Sequence, residues 1–165
     1  INESLKRLRR SKIEYLLLHE PASHDITPEL QGYFEGLLQK EIIANTGLGF
    51  NSECNSEIGK FGTILQQNIG NIFSPNRRSS DVNIVHGVFR SGMSQIEGEL
   101  NEHADIHAKV KNLDIDLNIG HNRAGVALAL AAHNESNNLI LVSYSDISRM
   151  NSTLEVADKL YQVLS

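Results

Sequence analysis

Ile13–Pro21, IEYLLLHEP, carries the strongest fold signal in the chain. An apolar run, Leu16-Leu17-Leu18, stops abruptly at a histidine, an acid and a proline. A continuous apolar run of this kind suits a parallel strand buried on both faces. A polar cluster at the carboxyl end of such a strand is where α/β folds place ligand chemistry. Upstream, Ser4-Leu5-Lys6-Arg7-Leu8 reads as the last turns of a helix feeding the strand.

Strand and helix signals then alternate. Thr27-Pro28 reads as an N-cap followed by proline in the first turn, and Leu30, Phe34, Leu37 and Leu38 extend a helix from Pro28 to Lys40. Ile42–Leu48 is a short strand running into glycine. Ser52 is a candidate cap for a helix with Ile58, Phe61, Ile64 and Leu65 on its apolar face, though Gly59 and Gly62 oppose it. Asn68–Phe73 and Val82–Phe89 are the next strands. Only Ser74 to Asp81 separate them, too short for an ordinary parallel crossover, so the helix between is expected to be absent or a single turn. Gln95–Lys111 has helical character, Leu113–Leu117 reads as a connecting loop, and Asn122–His133 holds an alanine-rich helix. Leu139–Ser143 is a last buried strand and Arg149–Leu164 a last amphipathic helix. The order fits an α/β fold with a parallel sheet.

The bulk properties set limits on function. At 165 residues and 40% hydrophobic the chain can form one domain with a real core, while a complete eight-stranded α/β barrel needs roughly 250 residues. A net charge of −5 argues against a general nucleic-acid binder, and the basic cluster Lys6, Arg7, Arg9, Arg10 and Lys12 reads as a solvated helix end. The single cysteine, Cys54, has no internal disulfide partner, which fits a reducing, cytoplasmic setting. No apolar run approaches the roughly 18 residues of a membrane span, so no membrane partner is expected.

SLKRLRRSKIEYLLLHEP and LILVSYSDISRMNSTLEVADKL together resemble the aldo-keto reductases: the first their fourth-strand region, the second their eighth strand, cofactor-phosphate loop and following helix. The resemblance runs over nearly the whole chain. It implies a parallel-stranded, TIM-barrel-like fold, here a partial barrel of about strands 4 to 8 with their helices, forming a single domain over residues 1–165. It also implies a lineage of NADPH-dependent carbonyl reduction acting on a small-molecule carbonyl substrate. His19 falls on the family's catalytic histidine, which orients the carbonyl; the general-acid tyrosine, lysine and aspartate come from earlier segments that this sequence does not include. Arg149 matches an arginine that holds the cofactor 2′-phosphate, and Ser143, Tyr144 and Ser145 in the loop before it offer hydroxyls to phosphate. His86 aligns with an aromatic residue that stacks on nicotinamide. Departures are evident elsewhere: Gly49-Phe50 replaces a Ser-Asn pair, Phe73 aligns with a glutamine, and Ser152-Thr153 replaces an adenine-reading Glu-Asn pair.

Other chemistries are weaker. His103 and His107 stand four apart on an expected helix, with Asp105 and His121 available, but HADIH lacks the glutamate of a zincin motif, and no metal is expected. His24-Asp25 reads as a loop pair and His133-Asn134 as a helix end. No GxGxxG, GxxxxGK or G-x-S-x-G occurs.

The expectation is therefore a truncated aldo-keto reductase-like oxidoreductase, inactive by itself. The alternative is a non-catalytic α/β binding or assembly module that kept the fold and lost the cofactor site. An open sheet leaves two unpaired edges, and each Å² of apolar surface left wet forfeits about 25 cal/mol, so a homodimer or higher homo-oligomer is expected.

Overall fold

The structure, a computed structural model, describes residues 1–51, 61–73, 82–135 and 139–164. Helix α1 (Asn2–Leu8) leads into β1 (Ile13–His19), α2 (Pro28–Gln39), β2 (Ile43–Gly49), β3 (Ile64–Asn68) and β4 (Val82–His86). Then follow α3 (Met93–Glu99), α4 (Ala104–Asn112), α5 (Gly120–Asn134), β5 (Leu139–Ile140) and α6 (Ile147–Leu164). The strands form a five-stranded sheet in chain order, β1-β2-β3-β4-β5, and the register runs parallel between β1 and β2, β2 and β3, and β4 and β5. This is the expected α/β, parallel-stranded class. No helix among the described residues is long and apolar enough to cross a membrane.

The chain packs as two compact units, Ile1–Gln67 with Ser79–Asn83, and Asn68–Arg78 with Ile84–Ser165. In the first, the Thr27 hydroxyl accepts from Leu30 N–H at 3.3 Å and Pro28 opens α2, as the sequence predicts. Phe34 and Leu37 of α2 then join Ile43, Leu48, Phe50, Phe61 and Leu65 in one core, with the Phe34 and Phe61 rings edge to face at 5.0 Å. Gly47 lets β2 and β3 approach: a Cβ there would stand 2.0 Å from Ile64 O.

The helix expected through Ile58–Leu65 does not reach Ile64 and Leu65, which lie in β3; residues 52–60 are outside the described residues. Gly62 accounts for the change. It sits at φ 75° with Thr46 O where a Cβ would be, so no helix continues through it into the strand.

In the second unit, the strand expected over Asn68–Phe73 is instead the end of β3 followed by a loop. Gly70 takes φ 66°, Asn68 Oδ1 accepts from Gly70 N–H at 3.0 Å, and Asn71 Oδ1 accepts from Phe73 N–H at 2.7 Å. Such local side-chain bonds turn the backbone away from a ladder. Gln95 Nε2 donating to Gly70 O and Asn134 Nδ2 donating to Ile72 O pin this loop.

Gln95–Lys111 is two helices, α3 and α4, separated by a 3-10 turn (Leu100–Glu102) and by His103, whose φ −111°, ψ 72° is not helical. The Leu113–Leu117 loop is as expected. The turn expected between the third and fourth strands, 74–81, lies outside the described residues. The core gathers Ile72, Val88, Ile96, Val110, Val126, Leu130 and Leu160. Gly125 brings α5 and α6 together, since a Cβ there would meet Val156 Cβ at 2.6 Å and Thr153 O at 2.9 Å.

Candidate functional site

In the first unit the polar cluster predicted after the Leu16–Leu18 run stands at the carboxyl end of β1. His19 is its last residue, exposed and paired in register with Gly49. Glu20 follows at φ 51°, a left-handed conformation unusual for a residue with a Cβ, and donates its N–H to Gly49 O at 2.7 Å. The turn aims the Glu20 carboxylate at the backbone N–H of Asn51, which donates to Oε1. Asn51 Nδ2 in turn lies 3.4 Å from His19 Nε2. Sequence reasoning missed Asn51: it stopped at Gly49-Phe50, although the β1–β2 register carries the chain back past His19 just after Phe50. His24 and Asp25 are an exposed pair 3.6 Å apart, in a 3-10 turn (Ser23–Asp25) rather than a plain loop.

The second unit holds a cavity of about 430 Å³ lined by Phe89, Met93, Gly120, His121, Ala124, Ser143, Tyr144, Ser145, Arg149 and Thr153. Three of the predicted binding residues, Ser143, Ser145 and Arg149, meet here. His86, the last residue of β4, is not among the lining residues. Phe89 and Tyr144 pack edge to face at 5.1 Å, giving the cavity an aromatic wall. Tyr144 Oη is buried, with no well-formed hydrogen bond among the described residues; burial pushes its ionisation above the ordinary phenol value, and the Thr153 hydroxyl beside it acts the other way. The sequence reading did not place Phe89 or Met93 in a site, took His121 only as an available metal ligand and Thr153 only as a departure from an adenine-reading pair, because the lining comes from three separate segments that only tertiary folding joins.

The loop into α6 is fixed by Asp146. Its Oδ1 accepts from Ser148 N–H at 2.7 Å, Ser148 Oγ–H at 2.6 Å and Arg149 N–H at 3.1 Å. The Ser148 hydroxyl foremost, then these backbone N–H groups and the Arg149 charge, hold the carboxyl below its ordinary range. A depressed folded-state value stabilises the protein above the unfolded value, and that contribution is lost as pH falls through the folded one. The melting temperature of the wild type should therefore fall more steeply on the acid side than that of Asp146→Asn, which caps without titrating. Superimposable acid limbs would contradict this.

His103 and His107 do not lie on one helix as expected: His107 is in α4 and His103 precedes it. His103 stacks on Phe73 at 4.5 Å, 13° from parallel, because its backbone leaves the helix there. Among the described residues no three His, Cys, Asp or Glu side chains converge.

No family model and no curated protein matches the chain. Solved structures do. A protein described as an aldo-keto reductase from Pseudomonas aeruginosa superimposes with a TM-score of 0.58 at 16% identity, covering 99% of this chain and 57% of its own. An aldo-keto reductase from Bacillus halodurans, in its holo form, gives a TM-score of 0.56 at 17% identity, covering 99% of this chain and 65% of its own. The fold is that of the aldo-keto reductases. The chain spans less than two thirds of the length of these relatives. The aldo-keto reductase fold accounts for the parallel order β1 to β5 and for polar groups gathered at strand ends. It leaves the chemistry of each group to be argued from the residues themselves.

Proposed function

We propose that residues 1–165 form one domain, the later part of an aldo-keto reductase-like barrel, with a carbonyl-reducing oxidoreductase as its whole-protein activity. The cavity of the second unit carries this reading. Its volume of about 430 Å³ lies in the usual ligand-pocket range, its aromatic wall suits a nucleobase, and the buried Tyr144 Oη beside the Thr153 hydroxyl puts polar atoms on that wall. These features fit a nicotinamide dinucleotide, NADPH by the family resemblance, with Ser143, Ser145 and Arg149 as its phosphate contacts and His86 offering a flat ring to the nicotinamide. When bound, that cofactor supplies a hydride to a carbonyl carbon. His19 orients the small-molecule carbonyl by donating a hydrogen bond to its oxygen. With β3 ending at Asn68, the glutamine expected near the end of this strand is matched by Gln66 or Gln67 rather than Phe73.

Residues 1–165 alone bind without turning over, since the family's tyrosine, lysine and aspartate have no counterparts in this sequence. The protein works in the cytoplasm and, as isolated residues 1–165, self-associates through its open strand edges. A second reading, a non-catalytic binding or assembly module, has one observation in its favour. The Asn51 side-chain amide stands 3.4 Å from His19 Nε2, the nitrogen that carbonyl chemistry would need free.

Two measurements test the reading. Titration of NADH and NADPH should change their nicotinamide fluorescence, whereas a well-folded protein that leaves both unchanged favours the module. Light scattering at micromolar concentration should give a mass above 18.3 kDa, and a mass of one chain would contradict self-association.

A further inference from the structure

We infer that the amino end of the strands in the first unit is a docking surface for anionic phospholipid, holding the protein on a membrane surface without crossing it.

By sequence Lys6–Lys12 reads as a solvated helix end, but the fold enlarges that cluster. α1 stops at Leu8, and Arg9 turns left-handed at φ 53°. Its N–H donates to Lys6 O at 3.2 Å and Arg10 N–H donates to Leu5 O at 3.0 Å, which fixes the turn. Ile13 N–H then donates to Ile42 O, and Ile13 pairs in register with Ile43. That pairing brings Lys40, at the end of α2, to the same end of the sheet as Lys12. Lys6, Arg7, Arg9, Arg10, Lys12 and Lys40 are all the Lys and Arg described in this unit, and all stand at that end. They outnumber the acids there, Glu3, Glu14 and Glu41, two to one. Glu3 is taken by Arg7 at 3.2 Å; the other five cations form no ion pair among the described residues. His19, Glu20 and the start of α2 lie at the opposite end of β1, so docking leaves that polar cluster facing water.

A net positive end on a chain of net charge −5 calls for a partner of concentrated negative charge. Leu8 indicates which. It is 60% exposed, between Arg7 and Arg9. An apolar side chain among arginines suits the headgroup boundary, where guanidinium forks hold phosphates and the leucine enters the acyl edge. Nucleic acid fits less well, since residues 1–12 contain no aromatic ring on which a base could stack. Arg9 strengthens the case: a glycine takes a left-handed backbone freely, an arginine only under strain.

Co-sedimentation with vesicles of phosphatidylcholine, alone or mixed with phosphatidylserine, tests the inference. The protein should pellet with the mixed vesicles and stay in solution with phosphatidylcholine. Raising the salt from about 0.1 M to about 0.5 M should release it, because screening shortens the reach of exposed charges. Each cation near an anionic leaflet is worth about fivefold in partition. Arg9→Gly removes one cation and relieves the turn, so it should bind about fivefold more weakly while unfolding no earlier in urea. Arg9→Glu combined with Arg10→Glu should weaken binding by more than about twentyfold. No sedimentation with mixed vesicles, equal sedimentation with both kinds, persistence at high salt, or unchanged binding by both variants would overturn the inference. Tighter binding to polyuridylate or to polyglutamate than to mixed vesicles would also overturn it, assigning the surface to nucleic acid or to an acidic protein. None of these outcomes bears on the nucleotide reading of the second unit.

Discussion

Gly47→Ala should lower the unfolding free energy by about 3 kcal/mol or more, with the melting temperature falling by roughly 6–12 °C. The added methyl would lie 2.0 Å from Ile64 O and 2.7 Å from Ile64 C, both backbone atoms of the neighbouring strand. No rotamer change relieves such an overlap. The strands must part, and that breaks the register Gly47↔Ile64, Leu48↔Leu65 that buries Ile64, Leu48 and Leu65. Urea unfolding followed by circular dichroism measures the loss. Gly32→Ala is the control: it lies in α2 with nothing within 4 Å of an added methyl, and should stabilise by about 0.5–1 kcal/mol. Equal stability of Gly47→Ala and the wild type would mean that β2 and β3 are not packed as described.

Gly125→Val should cost a similar amount, about 3 kcal/mol, for a different reason. Here helix packs on helix. The first carbon added already falls 2.6 Å from Val156 Cβ and 2.9 Å from Thr153 O, and two further methyls enlarge the overlap. Thr153 donates its hydroxyl to Arg149 O at 2.9 Å, and both residues line the cavity. Pushing α6 away from α5 therefore disturbs the cavity as well as the core. The variant should unfold earlier in urea and, at temperatures where it stays folded, bind adenosine nucleotides more weakly. Gly98→Ala, with open space around the new methyl, should do neither. Destabilisation with nucleotide affinity intact would separate the helix contact from the cavity.

How far the sequence revealed the fold depended on how far each signal was local. The Leu16–Leu18 run and the Thr27-Pro28 start of α2 are set by neighbouring residues, and both form the expected elements, but β1 is an edge strand with Leu16, Leu17 and Leu18 only half-buried rather than buried on both faces. β3 was misplaced because the deciding features act at a distance or through side chains. Gly62 meets Thr46, far away in sequence, and the asparagines at 68 and 71 bond their own backbone just where apolar residues suggest a strand. The single helix expected over Gln95–Lys111 divides at His103, whose stacking on Phe73 no helical periodicity announces. β5 has two residues rather than five and is not buried, with Leu139 and Leu141 both exposed; its ladder with β4 continues through Leu141 N–H donating to Val85 O at 2.8 Å.

The site divides in the same way. Ser143, Ser145 and Arg149 are close in sequence and lie together on the cavity wall. Phe89, Met93 and His121 join them only through the packing of the second unit. Asn51 depends on strand register, since the β1–β2 pairing is what returns the chain to His19. Asp146 stands just before Ile147, a cap position, and its carboxylate bonds Ser148 N–H and Arg149 N–H there.

The central claim is that the second unit carries a nucleotide site between the start of α5 and the loop into α6. Adding adenosine 5′-monophosphate to uniformly ¹⁵N-labelled protein and following backbone amide shifts tests it most directly. Saturable shifts should concentrate at Gly120, His121, Ser143, Tyr144, Ser145 and Arg149, leaving α1 and α2 unmoved. A spectrum that does not move, or shifts confined to the first unit, would contradict the account.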